Sequence, residues 1–89
     1  MEGELNTIVD FGATCIDVTV DHNIFGEIRG KLEISSRYDV MVFLKNINEE
    51  YQPLSIISNG VHIHKIGCRD EKIFKMIKEK LREKGFLYE

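Results

Sequence analysis

The stretch TCIDVTVDHNIFGEIRGKLEI, residues 14–34, decides the fold. Residues 14–21 alternate, with Ile16, Val18 and Val20 on one side and Cys15, Asp17, Thr19 and Asp21 on the other. That period of two is the mark of a half-buried strand. Residues 27–34 alternate again: Ile28, Leu32 and Ile34 share a side, and Glu27, Arg29, Lys31 and Glu33 share the opposite one. The segment from His22 to Gly26 is short and ends in glycine, so the two runs are expected to fold back as a hairpin.

Working outward, Leu5, Ile8 and Val9 sit at i, i+3 and i+4, which predicts a short helix over Glu2 to Asp10 ending at Gly12. After the hairpin, Ser35 or Ser36 offers a hydroxyl to cap a helix with Val40, Phe43, Leu44 and Ile47 along its buried stripe. Pro53 closes the loop behind it. Leu54–Ser58 and Val61–Gly67 read as two strands around Asn59-Gly60, a pair that tolerates the positive φ of a type I′ turn. Asp70 is expected to cap a last helix with Ile73, Phe74, Met76, Ile77 and Leu81 inward, ended by Gly85. Phe86, Leu87 and Tyr88 then read as a short edge strand. From Glu27 onward the order is β-α-β-β-α-β, a split βαβ pattern. The expected architecture is α+β, a two-layer sandwich of a mainly antiparallel sheet with helices on one face. The other face is left for solvent, a partner or a site.

The chain has 89 residues, 43% hydrophobic and 30% charged, with a single proline. That is one ordinary globular domain over residues 1–89, without repeats, linkers or low-complexity tracts. No apolar run approaches the ~18 residues that span a bilayer, and no signal peptide opens the chain, so a cytoplasmic location is expected. Fifteen acidic residues oppose twelve basic ones, for a net charge of −3. A cluster of Lys and Arg between Lys72 and Lys84 is interleaved with Glu79 and Glu83, which reads as a solvated helix face. DNA binding by this chain alone is not expected. Cys15 and Cys68 are too few for a disulfide framework and lack a CxxC spacing; they read as small reduced hydrophobes.

The chemistry concentrates in the histidines His22, His62 and His64. His62 and His64 lie i, i+2 on a strand, so they point to the same side with Cα atoms ~6.5 Å apart. Two imidazoles so placed can bind one metal ion at ~2.0–2.1 Å each. The same spacing also describes two solvated polar residues on an exposed strand. Because Val61 and Ile63 are apolar, parity puts both histidines on the face away from the helices. Glu27 also points away from the apolar side of its strand. If the strands are close, Glu27 joins the pair on the open face, with His22 reaching in from the hairpin loop. His22 shares the parity of Ile16, Val18 and Val20, so it needs a loop or bulge to turn it, and Asp21 is its alternative. Arg29 reads either as the ion-pair partner of Glu27 or as a clamp for an anionic ligand. Phe25 reads either as a hairpin-end core residue or as an aromatic wall for a planar ring.

The run Asp21-His22-Asn23-Ile24-Phe25-Gly26-Glu27-Ile28-Arg29-Gly30, followed by Gly60-Val61-His62-Ile63-His64 and by Lys84-Gly85-Phe86-Leu87, resembles the three-histidine (3H) domain. That domain is the ligand-sensing half of niacin-responsive transcription repressors of bacteria. The resemblance covers about Glu4 to Leu87. It implies a fold similar to the histidine phosphocarrier protein. It also implies a divalent transition metal (Zn, Ni or Fe) on His22, Glu27, His62 and His64. Nicotinic acid is then the implied effector and a homodimer the implied state; on the residue reading above, Arg29 and Phe25 are the expected contacts of that effector. DNA would be reached only through a winged-helix domain, for which this chain has no room. The expected role is therefore regulatory and not enzymatic. Two rivals remain: a small metalloenzyme on a His/Glu mononuclear site, and a bare dimerisation module.

Overall fold

The computed structural model describes residues 2–22, 26–50 and 62–87. Among them the elements run α1 (Glu2–Asp10), β1 (Thr14–His22), β2 (Gly26–Ile34), α2 (Arg37–Glu50), β3 (His62–Gly67) and α3 (Glu71–Glu83). The three strands form one antiparallel sheet in the order β2-β1-β3. The architecture is α+β, as expected. The strand read at 54–58, the Asn59-Gly60 turn and Phe25 lie outside the described residues.

Each helix is bounded by the residues that its sequence supplies for the purpose. α1 ends where Gly12 takes φ 82°, a left-handed conformation that costs glycine nothing. There Gly12 N–H donates to the Val9 carbonyl and Ala13 N–H to the Ile8 carbonyl, the paired bonds of a Schellman closure. The same pairing closes α3 at Gly85, from Gly85 N–H to Arg82 and Phe86 N–H to Leu81. At the start of α2, the Ser36 hydroxyl accepts from Asp39 N–H, and the Asp39 carboxylate accepts from Ser35 N–H. This is a near relative of the capping box, and it settles Ser36 as the cap. Asp70 caps α3, accepting from Ile73 N–H at 2.8 Å. Arg37 grips Asp10 with two bonds of 2.8 and 2.6 Å, which ties the end of α1 to the beginning of α2.

The core lies between the helices and one face of the sheet. Leu5 and Ile8 of α1, Cys15, Ile34, Val40 of α2 and Ile77 of α3 are all buried together, with Ile66, Ile73 and Leu81 packed around them. The opposite face carries Glu27, Arg29, Lys31 and Lys65, all exposed.

Three sequence expectations are corrected here. First, Cys15 leaves the company of Asp17 and joins the Val18 side. The register is irregular between Cys15 and Asp17: Cys15 faces Ile34 and Ile66, while Asp17 faces Lys31 and Lys65. Ile16 is the extra residue relative to β3, and a bulge of this kind turns every side chain beyond it to the other face. Second, the inward stripe of α3 is Ile73, Ile77 and Leu81, spaced by four. Phe74 and Met76 are each 44% exposed, because their positions fall to either side of that stripe. Third, Phe86 and Leu87 form no strand. After the Gly85 turn, Phe86 lies on α1, where a Cβ on Gly3 would stand 2.8 Å from its ring.

The α3 correction is testable by urea unfolding. Ile77→Ala should cost about 2–4 kcal/mol, and Phe74→Ala less than about 1 kcal/mol. Equal losses at the two positions would contradict the assigned stripe.

Candidate metal centre

Glu4 lies in the first turn of α1, one residue before buried Leu5 and four before buried Ile8. It is therefore on the flank of α1 that meets the sheet. The turn is held from two sides. Thr7 donates its hydroxyl to the Gly3 carbonyl at 2.7 Å and accepts from Lys84 Nζ at 3.1 Å. Phe86 packs on Gly3. An acidic residue in a first helical turn is also favoured by the positive end of the helix dipole.

Across from Glu4, His62 and His64 extend from β3 on the side of their register partners Val20 and Val18. Glu4 Oε2 lies 2.7 Å from His62 Nε2 and 3.1 Å from His64 Nε2. The two rings meet edge to face, with centroids 4.7 Å apart. Side-chain exposure is only 10% and 12% for the histidines and 16% for the glutamate. Burial raises the Glu4 pKa, but the hydrogen bonds and charges of His62 and His64 outweigh it, and the carboxyl ends lowered to about 2. His64 Nδ1, on the far side of the ring, lies 3.5 Å from Cys15 Sγ. Burial, then the nearby charges of Asp17 and Glu4, push the Cys15 thiol up to about 12, so it stays un-ionised.

The donor set fits a divalent transition metal. One atom each from Glu4, His62 and His64 converge within 4.8 Å of one another. Ligands held ~2.0–2.1 Å from a tetrahedral ion stand ~3.3–3.4 Å apart, so the observed 2.7 and 3.1 Å contacts would need to open by about 0.6–0.7 and 0.2–0.3 Å. Imidazole with carboxylate suits zinc, nickel or iron alike.

The sequence-derived ligands are only partly brought together. His62 and His64 converge, but on the helix side of the sheet, not on the open side. Ile63 takes the open side instead and is 68% exposed. Two polar rings can face inward because a carboxylate waits there to satisfy them. Glu27 is not with them: it is exposed and sits opposite Asp21 at the hairpin end. Asp21 is exposed too. The carboxylate at the histidines is Glu4, which the sequence reading did not single out. Its signal was an acid on the apolar flank of α1, four residues from Ile8. Arg29 does not face the histidines either. It grips Asp17 on the open face, with Nε and Nη2 at 3.0 and 2.6 Å from one carboxylate oxygen. The buried Asp17, 4% exposed, explains that pairing, since a buried carboxylate needs a partner. His22 is described at its backbone, opposite Gly26 and two residues along β1 from the partner of His62.

The 3H domain profile matches residues 1–89. The chain belongs to the 3H domain family. It is 41% identical over 88 residues to a protein of Thermotoga maritima named "Probable transcription repressor NiaR", covering 97% of this chain and 50% of that one. It is 34% identical over 87 residues to the "Transcription repressor NadR" of Bacillus subtilis, covering 97% of this chain and 48% of that one. This 3H domain thus spans about half the length of the curated relatives it matches. None of its described helices is long and apolar enough to cross a membrane.

The depressed Glu4 pKa sets a pH dependence for the metal-free 3H domain. A carboxyl ionised more readily when folded contributes stability above its unfolded value of 4.5, and that contribution is lost as pH falls toward about 2. Unfolding free energies measured from pH 6 to pH 2 should therefore fall less steeply for Glu4→Gln than for the wild type. Parallel curves would contradict the pairing.

Proposed function

We propose that this chain is the metal-dependent sensing domain of a transcription repressor, with nicotinic acid as its effector and genes of NAD biosynthesis or niacin uptake as its targets. The observation that carries the reading is the convergence of Glu4, His62 and His64 in a mostly buried niche. The repressor names of two relatives support the regulatory half of it, and with it a non-enzymatic role.

Three protein ligands leave coordination positions open on an ion of this class. His22, at the near end of β1, is proposed as a further ligand, and Phe25 as an aromatic neighbour of the effector ring. Glu27 is replaced by Glu4 in the ligand set. Nicotinic acid offers a carboxylate and a pyridine nitrogen, either of which suits an open position on the metal. With Arg29 committed to Asp17, the effector carboxylate is assigned to the metal alone. The whole of residues 1–89 acts as one metal- and ligand-binding domain. It would work as a homodimer in the cytoplasm, with DNA contacted by a separate winged-helix domain. Binding of the effector would favour one dimer geometry and hence one spacing of the DNA-reading helices.

Calorimetric titration of nicotinate into zinc- or nickel-loaded protein should show saturable binding that chelation abolishes, with nicotinamide binding at least tenfold more weakly. Equal nicotinate binding with and without metal would refute the coupling. Metal itself should be released as pH falls through the histidine range near ~6.5, because ligands must be deprotonated to coordinate. Metal occupancy that is flat from pH 8 to pH 5 would contradict the assignment of imidazole ligands.

A further inference from the structure

We infer that the outward face of α2 is a contact surface for a second copy of this chain, on which the stripe Tyr38, Met41, Val42 and Lys45 of one copy lies antiparallel against the same stripe of the other. This rests on the homodimer of the reading above and deepens it by giving that dimer a surface.

Apolar residues line two opposite sides of α2. Val40, Phe43 and Leu44 face the core. Tyr38, Met41 and Val42 follow the other side at i, i+3 and i+4, and exposed Lys45 extends that line at i+7. The three apolar side chains are 68%, 59% and 37% exposed, although they stand next to one another. A surface helix needs an apolar stripe only where it meets the core, so a second stripe asks for a second packing partner. The other large exposed apolar side chains are scattered: Ile63 on β3, Phe74 and Met76 to either side of the α3 stripe, and Phe86 beyond α3. Single exposures of that kind are ordinary, whereas contiguous ones mark interfaces. Tyrosine and methionine are among the residues enriched there.

The order of residues along the stripe points to a second copy as its occupant. Lys45 has no ion-pair partner among the described residues, while its flanking charges are engaged: Arg37 with Asp10, and Asp39 with Ser35 N–H. The stripe thus offers an aromatic ring at one end, a cation at the other and aliphatic side chains between them. About a two-fold axis passing between positions 41 and 42, Tyr38 of each copy meets Lys45 of the other, and Met41 meets Val42. The ammonium then lies against an aromatic ring, a favourable cation–π contact, and it does so twice. A parallel pair would set Lys45 against Lys45 and leave both rings without a cation. α2 has 14 residues and is ~21 Å long. One helix face of that length falls short of the roughly 800 Å² per partner of a standard interface, so a weak, concentration-dependent dimer is expected.

The test is sedimentation equilibrium of the 89-residue chain from about 10 μM to about 1 mM, with wild type, Met41→Glu, Tyr38→Lys and Tyr38→Glu compared. Wild type should pass from monomer toward dimer across that range. Met41→Glu and Tyr38→Lys should each weaken the association at least about tenfold, the first by setting a charge against Val42, the second by facing two ammonium groups. Tyr38→Glu should stay within about threefold of wild type, because its carboxylate meets Lys45 of the other copy in place of the ring. Both substituted positions are exposed, so circular dichroism should be the same for all four proteins. A wild type that stays monomeric throughout would overturn the surface and the homodimer together. Dimerisation undiminished in Met41→Glu and Tyr38→Lys would overturn the surface alone and leave the homodimer to another face. Equal weakening by Tyr38→Lys and Tyr38→Glu would overturn the antiparallel pairing.

Discussion

Burying an imidazole pair costs free energy unless the ring nitrogens find partners, and in this protein one carboxylate answers for both rings. Glu4 meets His62 and His64 across 58 and 60 residues of chain. The rest of the fold is arranged around that meeting. α1 must be anchored so that its first turn hangs over β3. Lys84 and Phe86, returning from the Gly85 turn of α3, hold that turn through Thr7 and Gly3. Arg37 holds the other end of α1 through Asp10. The site is therefore assembled from the two ends of the domain and one strand between them. Through these contacts α1, which carries Glu4, is tied to both other helices, a suitable arrangement for a domain whose proposed task is to report occupancy.

The sheet separates two kinds of polar chemistry. On the helix side the histidines, Glu4 and Cys15 form a mostly buried cluster with converging donor atoms. On the open side Arg29 neutralises Asp17, and Glu27, Lys31 and Lys65 are exposed to solvent. A guanidinium committed to Asp17 on the far side of the sheet does not reach the niche formed by Glu4, His62 and His64.

Most of the framework was legible in the sequence. Alternation over residues 14–34 gives the hairpin, Gly12 and Gly85 end the helices they were expected to end, and Asp70 caps α3. These features are local, and local chemistry decides them. The face on which a residue lies was less legible. Ile63 looked like a core residue because it is apolar, yet it is 68% exposed, since the inward positions of β3 are taken by histidines with a remote partner. The alternation of β1 also concealed an extra residue at Ile16, which moves Cys15 to the site. Neither a bulge nor a pairing across some sixty residues has a signature in periodicity. Parity and the resemblance pointed to Glu27, which lies exposed opposite Asp21, whereas Glu4 meets the histidines only in space, from a helix some sixty residues away in sequence.

The central claim is that Glu4, and not Glu27, completes the site with His62 and His64. Zinc titration of the wild type, Glu4→Gln and Glu27→Gln proteins tests it most directly. The account predicts stoichiometric binding by wild type and Glu27→Gln with affinities within about threefold, and a loss of at least ~100-fold in Glu4→Gln, where a charged ligand becomes a neutral amide. Undiminished binding by Glu4→Gln, or loss in Glu27→Gln alone, would contradict it.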